Sequence, residues 1–162
     1  MTLIAGSEKP DFVKAPILIL MVGLPRSGKT TRANKLGYPI VSPDAIRFAL
    51  HGERYLETAE PMVWVIADIM THALAIAGHK YIIIDATNTT RKRRDKWSEC
   101  HMTTFYQVNA TKEECIKRAR DEKDEVIIPV IERMAQNFEP LDDDEQLFEE
   151  CFKDGLYVPQ WD

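Results

Sequence analysis

The most constraining feature of this sequence is an apolar run that ends directly in a glycine-rich turn. Residues 16–22 (PILILMV) are continuously apolar, and the turn GLPRSGKT follows at residues 23–30. An apolar run rich in branched residues, without polar alternation, is typical of a strand buried on both faces. The chain is therefore expected to fold around a parallel sheet that is covered by helices on both sides.

The turn matches the pattern G-x-x-x-x-G-K-[ST], and a helix is expected to start near Gly28. Gly23 and Gly28 would let backbone N–H groups curl around phosphate oxygens, and the helix N-terminus would add its positive dipole. Lys29 would place a charge at the β- and γ-phosphates, and Thr30 would offer a hydroxyl to Mg²⁺. The predicted nucleotide-binding residues of this loop are Gly23, Leu24, Pro25, Arg26, Ser27, Gly28, Lys29, Thr30 and Thr31. The alternative is a glycine-rich turn that only reverses the chain. The place of the motif between a buried strand and a helix favours nucleotide binding.

Strands and helices alternate along the rest of the chain. Strands are predicted at residues 38–42, 80–85 and 103–109, and a last one in GLYVP at 155–159. Helices are predicted from Gly28, over 43–50, 58–77 and 91–101, from 112, and again at Pro129. Ser42 and Pro43 suit the N-cap and first position of the second helix. Strands separated by helices predict a three-layer α/β fold with a parallel sheet of four to five strands.

Length and composition fit one domain over residues 1–162. The chain can bury a sizeable core, and its apolar fraction of 44% and charged fraction of 29% are ordinary for a globular protein. No apolar run approaches the roughly 20 residues of a membrane span, and the N-terminus lacks signal-peptide features. Cys100, Cys115 and Cys151 lack metal-binding or C-x-x-C spacing, so we expect reduced thiols. We therefore expect a cytoplasmic protein without a membrane partner.

The net charge of −5 is unevenly distributed. Residues 139–162 contain nine acids and one base, so they carry −8 and residues 1–138 carry +3. An acidic total argues against general nucleic-acid binding but leaves room for a local basic site. The acidic C-terminal segment is expected to be solvated and partly helical. The four histidines show no pairwise metal spacing and are assigned no role.

The predicted strand at 80–85 ends in Asp85, and small polar residues follow it. An acid that closes an apolar strand commonly supports the magnesium ion in phosphate-loop proteins, so Thr30 and Asp85 are the predicted metal site. Thr87 and Asn88 lie at the carboxyl end of this strand, where open α/β sheets bind ligands, and are candidates for acceptor binding. The alternatives are an N-capping or turn aspartate and ordinary turn chemistry.

Asp44 and Arg47 are three residues apart in the predicted second helix and would share one face. A kinase acting on a hydroxyl gains from a carboxylate that accepts its proton, and an arginine can hold an anionic acceptor by two hydrogen bonds. The alternative is an ordinary helix ion pair with an acid in the first turn.

Residues 91–96 (RKRRDK) hold five bases and one acid directly after the polar turn. Arg91, Arg93 and Arg94 are predicted to attract the phosphate backbone of an acceptor. Bases at a helix N-terminus oppose the helix dipole, which favours a functional role for this cluster. A solvated helix start remains the alternative.

Three motifs in this order, GLPRSGKT, SPDAIR and IDATNTTRKRR, resemble those of the polynucleotide 5'-kinase branch of P-loop phosphotransferases, bacteriophage-type enzymes included. The resemblance extends from Ile17 to about Pro140. It implies a P-loop kinase fold, with a helical lid at about residues 112–138 that closes over ATP. It also implies that Lys29 and Thr30 serve the donor phosphates and Mg²⁺, Asp44 is the general base, and Arg47 grips the acceptor phosphate.

The same resemblance makes Arg118 a lid arginine that stabilises charge on the transferred phosphate. The family's two lid arginines typically sit four residues apart, whereas here Arg118 is followed by Arg120 and the fourth position is Glu122. Arg120 or Lys123 would take the second place, or the lid differs. A solvated helix face with mixed charges is the alternative.

These features predict a kinase that uses ATP, or another nucleoside triphosphate, and Mg²⁺ to phosphorylate the 5'-hydroxyl end of DNA or RNA, with a role in nucleic-acid repair. Its partners would be nucleic-acid 5' ends. The rival hypotheses are a kinase for a small hydroxyl compound (a sugar, nucleoside or antibiotic) and a non-catalytic nucleotide-binding module.

Overall fold

A four-stranded parallel sheet forms the centre of the protein. The computed structural model describes residues 15–148, 150–153 and 156–159. The strands are β1 (Ile17–Val22), β2 (Ile40–Val41), β3 (Tyr81–Ile84) and β4 (Met102–Gln107), in the order β2-β3-β1-β4. All neighbouring pairs are parallel, which confirms the predicted fold class. The carboxyl ends of the strands therefore meet at one edge of the sheet.

Helices connect the strands as the sequence predicts. They are α1 (Lys29–Leu36), α2 (Pro43–His51), α3 (Glu60–Ile76), α4 (Arg91–Ser98), α5 (Lys112–Asp121) and α6 (Ile128–Gln136). Single 3-10 turns at Glu57–Ala59 and Glu125–Ile127 precede α3 and α6. The Ser42 hydroxyl accepts a hydrogen bond from the Ala45 N–H, and Pro43 is the first residue of α2, so the predicted cap is confirmed. The helix predicted over 91–101 ends at Ser98, because the chain turns there to enter β4.

Side chains of β1 alternate between two hydrophobic cores, one on each face of the sheet. Leu18, Leu20 and Val22 pack on the α3 and α4 side, whereas Ile19 and Met21 pack on the α1 side. All five are fully buried, as expected from an apolar run without alternation. A third cluster joins the glycine-rich loop to the last two helices and consists of Leu24, Cys115, Ala119 and Ile131.

The acidic C-terminal segment is exposed at 142–144, as predicted, but residues 139–148 contain no helix. Gln146 and Phe148 pair with the edge of β4. The Phe105 N–H donates to the Gln146 carbonyl (3.0 Å), and the Phe148 N–H donates to the Phe105 carbonyl (2.8 Å). The predicted last strand exists as β6 (Leu156–Pro159), but it pairs antiparallel with β5 (Glu150–Lys153) in a separate sheet. At the β4 edge of the four-stranded sheet, 146–148 take the pairing position instead.

Among the described residues, Glu57–Ile76 is the one helical segment long and apolar enough to span a membrane by composition. A single segment of this kind is weak grounds for a membrane protein. Val63, Ala67 and Thr71 form a buried stripe on α3, as in a helix packed on a sheet. Among the described cysteines, Cys100 is exposed and Cys115 is buried, and both are free thiols.

Candidate active site

The glycine-rich loop curls at the N-terminus of α1. The Gly23 N–H donates to the carbonyl of Thr87 (3.0 Å). A Cβ on Gly23 would lie 2.9 Å from Ser27 Oγ and 3.0 Å from the Val108 carbonyl oxygen, too close for any other residue. Gly28 has φ +100°, a conformation that side-chain-bearing residues rarely adopt. Both glycines are therefore required by the backbone, and the loop they form is a phosphate cradle.

Lys29 lies inside this cradle. Its Nζ donates to the Leu24 carbonyl (2.6 Å) and lies 3.4 Å from Ser27 Oγ, and the residue is 8% exposed. Burial lowers the pKa of Lys29 to about 8, and the nearby charge of Asp85 opposes this shift. A buried ammonium with few anionic neighbours gains much from a phosphate group, which supplies the missing negative charge.

Thr30 and Asp85 lie side by side at the mouth of the loop. The Thr30 hydroxyl donates to Asp85 Oδ2 at 2.7 Å. Asp85 is 6% exposed, and burial raises the pKa of its carboxyl against the opposing effects of the Thr30 hydrogen bond and Lys29. Two adjacent hard oxygen donors beside a phosphate cradle fit Mg²⁺, which binds carboxylate and phosphate oxygens together. The structure thus brings together the two residues predicted for the metal.

Asp44 lies in the first turn of α2. Its side chain is 78% exposed, and its Oδ1 accepts a hydrogen bond from Arg47 Nη1. Burial dominates the pKa shifts of Lys29 and Asp85; the Asp44 charge opposes the lowering for Lys29 and adds to the raising for Asp85, so Asp44 lies near enough to act on both charges. An exposed carboxylate in this position is able to accept a proton from a hydroxyl bound before the cradle.

Glu60, at the start of α3, is a partner of Arg47 that sequence reasoning missed. The Arg47 guanidinium donates from Nε to Oε1 (2.6 Å) and from Nη2 to Oε2 (2.8 Å) of Glu60. These bonds are the main reason why the pKa of the Glu60 carboxyl is lowered. No sequence signal links the two residues, because they lie in different helices. Arg47 is oriented by two carboxylates, Glu60 and Asp44, rather than left free for an anion.

A cleft of about 190 Å³ opens beside these residues. It is lined by Thr87, Thr89, Thr90, Arg93, Arg133, Met134 and Asn137. The Arg93 guanidinium lies 4.4 Å above the ring centroid of Trp64, a cation–π distance. Arg133 and Asn137 come from α6 and its end, and sequence reasoning missed them because it sought lid arginines only near Arg118.

Two of the three arginines in the basic cluster at residues 91–96, all predicted to bind the acceptor, are paired with acidic residues. Arg94 is fully buried, and its guanidinium makes five hydrogen bonds, to the Glu145 carboxylate and three backbone carbonyls. Arg91 forms ion pairs with Asp95, Asp142 and Asp144. The prediction is therefore wrong for Arg94, whose five N–H donors are all used, whereas for Arg91, which is partly exposed and paired with exposed acids, it stays a prediction.

Asn88 is fully buried, with φ +44°, and its Nδ2 donates to the Met21 carbonyl of β1 (2.8 Å). This bond ties the polar turn to the sheet. Asn88 Oδ1 has no hydrogen-bond partner among the described residues, and acceptor binding by Asn88 stays a prediction. Thr87 does line the cleft.

The predicted lid contacts the phosphate loop through Arg118. Its Nη1 donates to the carbonyls of Arg26 (3.0 Å) and Ser27 (2.9 Å). The Arg26 side chain in turn forms ion pairs with Glu122 and Asp124, which follow α5. Arg120 is exposed, and among the described residues its side chain makes no hydrogen bond or ion pair. Arg118 thus lies at the cradle, and the role of Arg120 stays a prediction.

Comparisons with known proteins agree with this geometry. A family model described as an AAA domain matches residues 18–141. A search of curated proteins gave no significant match. Among solved structures, a chain of a Pnkp1/Rnl/Hen1 complex is similar at a TM-score of 0.57 and 26% identity, over 64% of this chain and 39% of that one. A chain of a Pnkp1/Rnl/Hen1 RNA repair complex is similar at 0.57 and 18% identity, over 93% and 55%.

A gluconokinase from Sinorhizobium meliloti 1021 is similar at a TM-score of 0.54 and 17% identity, over 83% of this chain and 82% of that one. The chain thus spans 39% and 55% of the two repair-complex chains but most of the gluconokinase. Kinases of different substrates therefore share this fold, and the fold alone leaves the acceptor open.

Proposed function

We propose that this protein transfers the γ-phosphate of ATP to the 5'-hydroxyl end of a DNA or RNA strand. The premise is that the chain belongs to the AAA-domain family and has the P-loop kinase fold. The observation that carries the proposal is the exposed Asp44 carboxylate, which bonds to Arg47 and acts electrostatically on Lys29 and Asp85 of the proposed donor site. In this proposal Asp44 is the base for a hydroxyl that binds near the phosphate loop.

The transfer is an in-line displacement. The acceptor hydroxyl oxygen forms a bond to the γ-phosphorus while the bond from that phosphorus to the bridging oxygen of ADP breaks. Asp44 takes the hydroxyl proton, and the Lys29 ammonium and loop N–H groups stabilise the transferred phosphoryl group. When bound at Thr30 and Asp85, Mg²⁺ supplies positive charge to the β- and γ-phosphate oxygens. Arg118 lies where a lid arginine would reach the same phosphates.

Positive charge in the cleft favours a nucleic-acid acceptor. Arg93 and Arg133 line the cleft, and Arg47 lies close enough to contribute to lowering the pKa of Arg93. Arg93 and Arg133 suit the phosphates that follow a 5'-terminal nucleoside, whereas Arg47 would first have to leave Glu60. Trp64 packs against the core and holds the Arg93 guanidinium over its ring.

One observation favours the second candidate, a kinase for a small neutral hydroxyl compound. Arg47, which a nucleic-acid acceptor would need for its phosphate, is held by both oxygens of Glu60. A neutral sugar would not compete with that ion pair. The gluconokinase shows that the fold serves phosphorylation of a small hydroxyl compound in another protein, although gluconate, unlike a neutral sugar, carries a carboxylate.

Transfer of radiolabelled γ-phosphate tests both candidates. The protein is incubated with ATP, Mg²⁺ and either a 5'-hydroxyl oligonucleotide or a panel of sugars, nucleosides and aminoglycosides. The proposal expects a labelled oligonucleotide and a KM that rises steeply with salt. Label on a sugar alone, or a KM independent of salt, would overturn the nucleic-acid assignment and keep the kinase.

We further propose that residues 1–162 act as one kinase domain with a lid at about 112–138, in the cytoplasm, without a membrane partner. The described residues support this unit, since 15–148 share one sheet and its covering helices. Nucleic-acid 5' ends are its proposed partner, and Mg²⁺ its proposed cofactor.

A further inference from the structure

The helices α3 and α4 face each other along a seam that is formed by one stripe of side chains from each. This seam ends in a group of metal-ligating side chains outside the proposed active site. The stripe on α3 consists of Trp64, Asp68 and His72, and the facing stripe on α4 and the turn after it consists of Arg93, Trp97 and His101. Arg93 lies over Trp64 at one end, and the rings of His72 and His101 are 5.6 Å apart at the other. The histidine end therefore points away from the cleft that Arg93 lines.

Three side chains converge at this end. Asp68, His72 and His101 each offer a ligand atom, and these atoms lie within 4.8 Å of one another. Donors around a tetrahedral Zn²⁺ with bonds of about 2.0–2.1 Å are about 3.4 Å apart. The side chains of Asp68 and His72 are 57% and 58% exposed, so they are free to rotate by the small amount that closing the site requires.

Each of the two histidines has a ring nitrogen that is available to bind a metal ion. His72 Nδ1 lies 2.9 Å from the backbone carbonyl oxygen of Asp68, which only accepts hydrogen bonds. Nδ1 therefore carries the proton, and Nε2 keeps a free lone pair, the arrangement usual for metal-bound histidines. His101 Nε2 is buried and has no hydrogen-bond partner among the described residues. A buried polar atom without a partner calls for an explanation, and a metal ion supplies one.

We propose that Asp68, His72 and His101 bind a first-row transition-metal ion, Zn²⁺ in the cell, with water completing its coordination. Two imidazoles and a carboxylate suit Zn²⁺, whereas Mg²⁺ selects oxygen ligands. The bound ion cross-links the middle of α3 to the turn before β4 and so stabilises the seam. Pairwise sequence spacing does not reveal this site, because only the fold brings His101 to His72.

Metal binding to the full chain, free of affinity tag and stripped with EDTA, tests the site. Zn²⁺ is titrated by equilibrium dialysis and Co²⁺ by visible absorption, both in excess Mg²⁺ so that the oxygens of Thr30 and Asp85 are occupied. We expect the wild type to bind one equivalent of Zn²⁺ tightly and to have a higher Tm with Zn²⁺. With Co²⁺ we expect the strong visible absorption of a tetrahedral site. His72→Ala and Asp68→Ala should each lower the affinity by about tenfold or more.

His79→Ala is the matched control, since His79 is exposed and lies just beyond α3. It should bind Zn²⁺ as the wild type does. His101→Ala tests the buried ligand, and the two exposed positions keep the test decisive if that variant does not fold. Affinity and Co²⁺ spectra that are unchanged in His72→Ala and Asp68→Ala would overturn the proposal, as would the absence of a tight equivalent in the wild type.

Discussion

Replacing Arg94 by methionine should destabilise the fold far more than any change at its neighbour Arg93. Arg94 is fully buried, and its side-chain partner Glu145 is only 4% exposed at the side chain. Methionine fills the space of the aliphatic stem but removes both direct hydrogen bonds to the Glu145 carboxylate, which keeps only the Asp142 N–H (2.9 Å) and the more distant Arg91 Nη1 (3.8 Å). Breaking a buried pair by removing one partner costs about 3–5 kcal/mol. The free energy of unfolding of natural domains is about 5–15 kcal/mol, so Arg94→Met would remove a large share of it.

Urea unfolding followed by circular dichroism measures this loss, and thermal unfolding should show a Tm lower by about 6–20 °C. The control Arg93→Ala removes a surface cation–π contact and should cost less than about 1 kcal/mol. Adding Glu145→Gln to Arg94→Met removes the stranded charge and should recover part of the loss. A loss below about 1 kcal/mol in Arg94→Met, or no coupling between the two positions, would refute the buried-pair argument.

Other predictions concern the site. Lys29→Ala should abolish phosphate transfer while leaving Tm unchanged or higher, because it removes a buried charge; labelled transfer and scanning fluorimetry measure the two effects. In the wild type, the Kd for ATP should be constant between pH 6 and 7 and should rise about tenfold per pH unit above about pH 8, where the Lys29 ammonium loses its proton. Calorimetric titration of ATP at several pH values measures this. Asp44→Asn should lower kcat by about 10²–10⁴ with little change in the Kd for ATP, and an unchanged kcat would remove Asp44 as base. Glu60→Gln should lower the KM for a 5'-hydroxyl oligonucleotide by freeing Arg47, whereas an unchanged KM would favour a neutral acceptor.

Much of the fold was predictable because its signals are local. The unbroken apolar run of β1, the Ser42–Pro43 helix start and the glycine-rich loop each depend on a few consecutive residues. Hydrogen-bond capping and positive φ angles are settled within such short stretches. The parallel order of strands followed from their separation by helices, and with it the meeting of Thr30 and Asp85 at one sheet edge.

The basic cluster shows where sequence reasoning stops. Arg93 and Arg94 are adjacent, yet successive residues of a helix point about 100° apart. Arg93 therefore meets Trp64 at the cleft, whereas Arg94 points inward to Glu145. No pattern in the sequence distinguishes them, because the partner that buries Arg94 comes from the acidic segment far along the chain.

The sequence by itself determined a phosphate-binding loop on a parallel sheet, since glycines, a lysine and an apolar strand act over neighbouring residues. Only the tertiary structure decided which charged side chains remain available to a ligand. In it Arg47 pairs with Glu60, Arg91 pairs with acids of the C-terminal segment, and the rings of His72 and His101 lie next to each other. Long polar side chains take whichever partner the packing of distant elements brings near, and that packing depends on the whole chain.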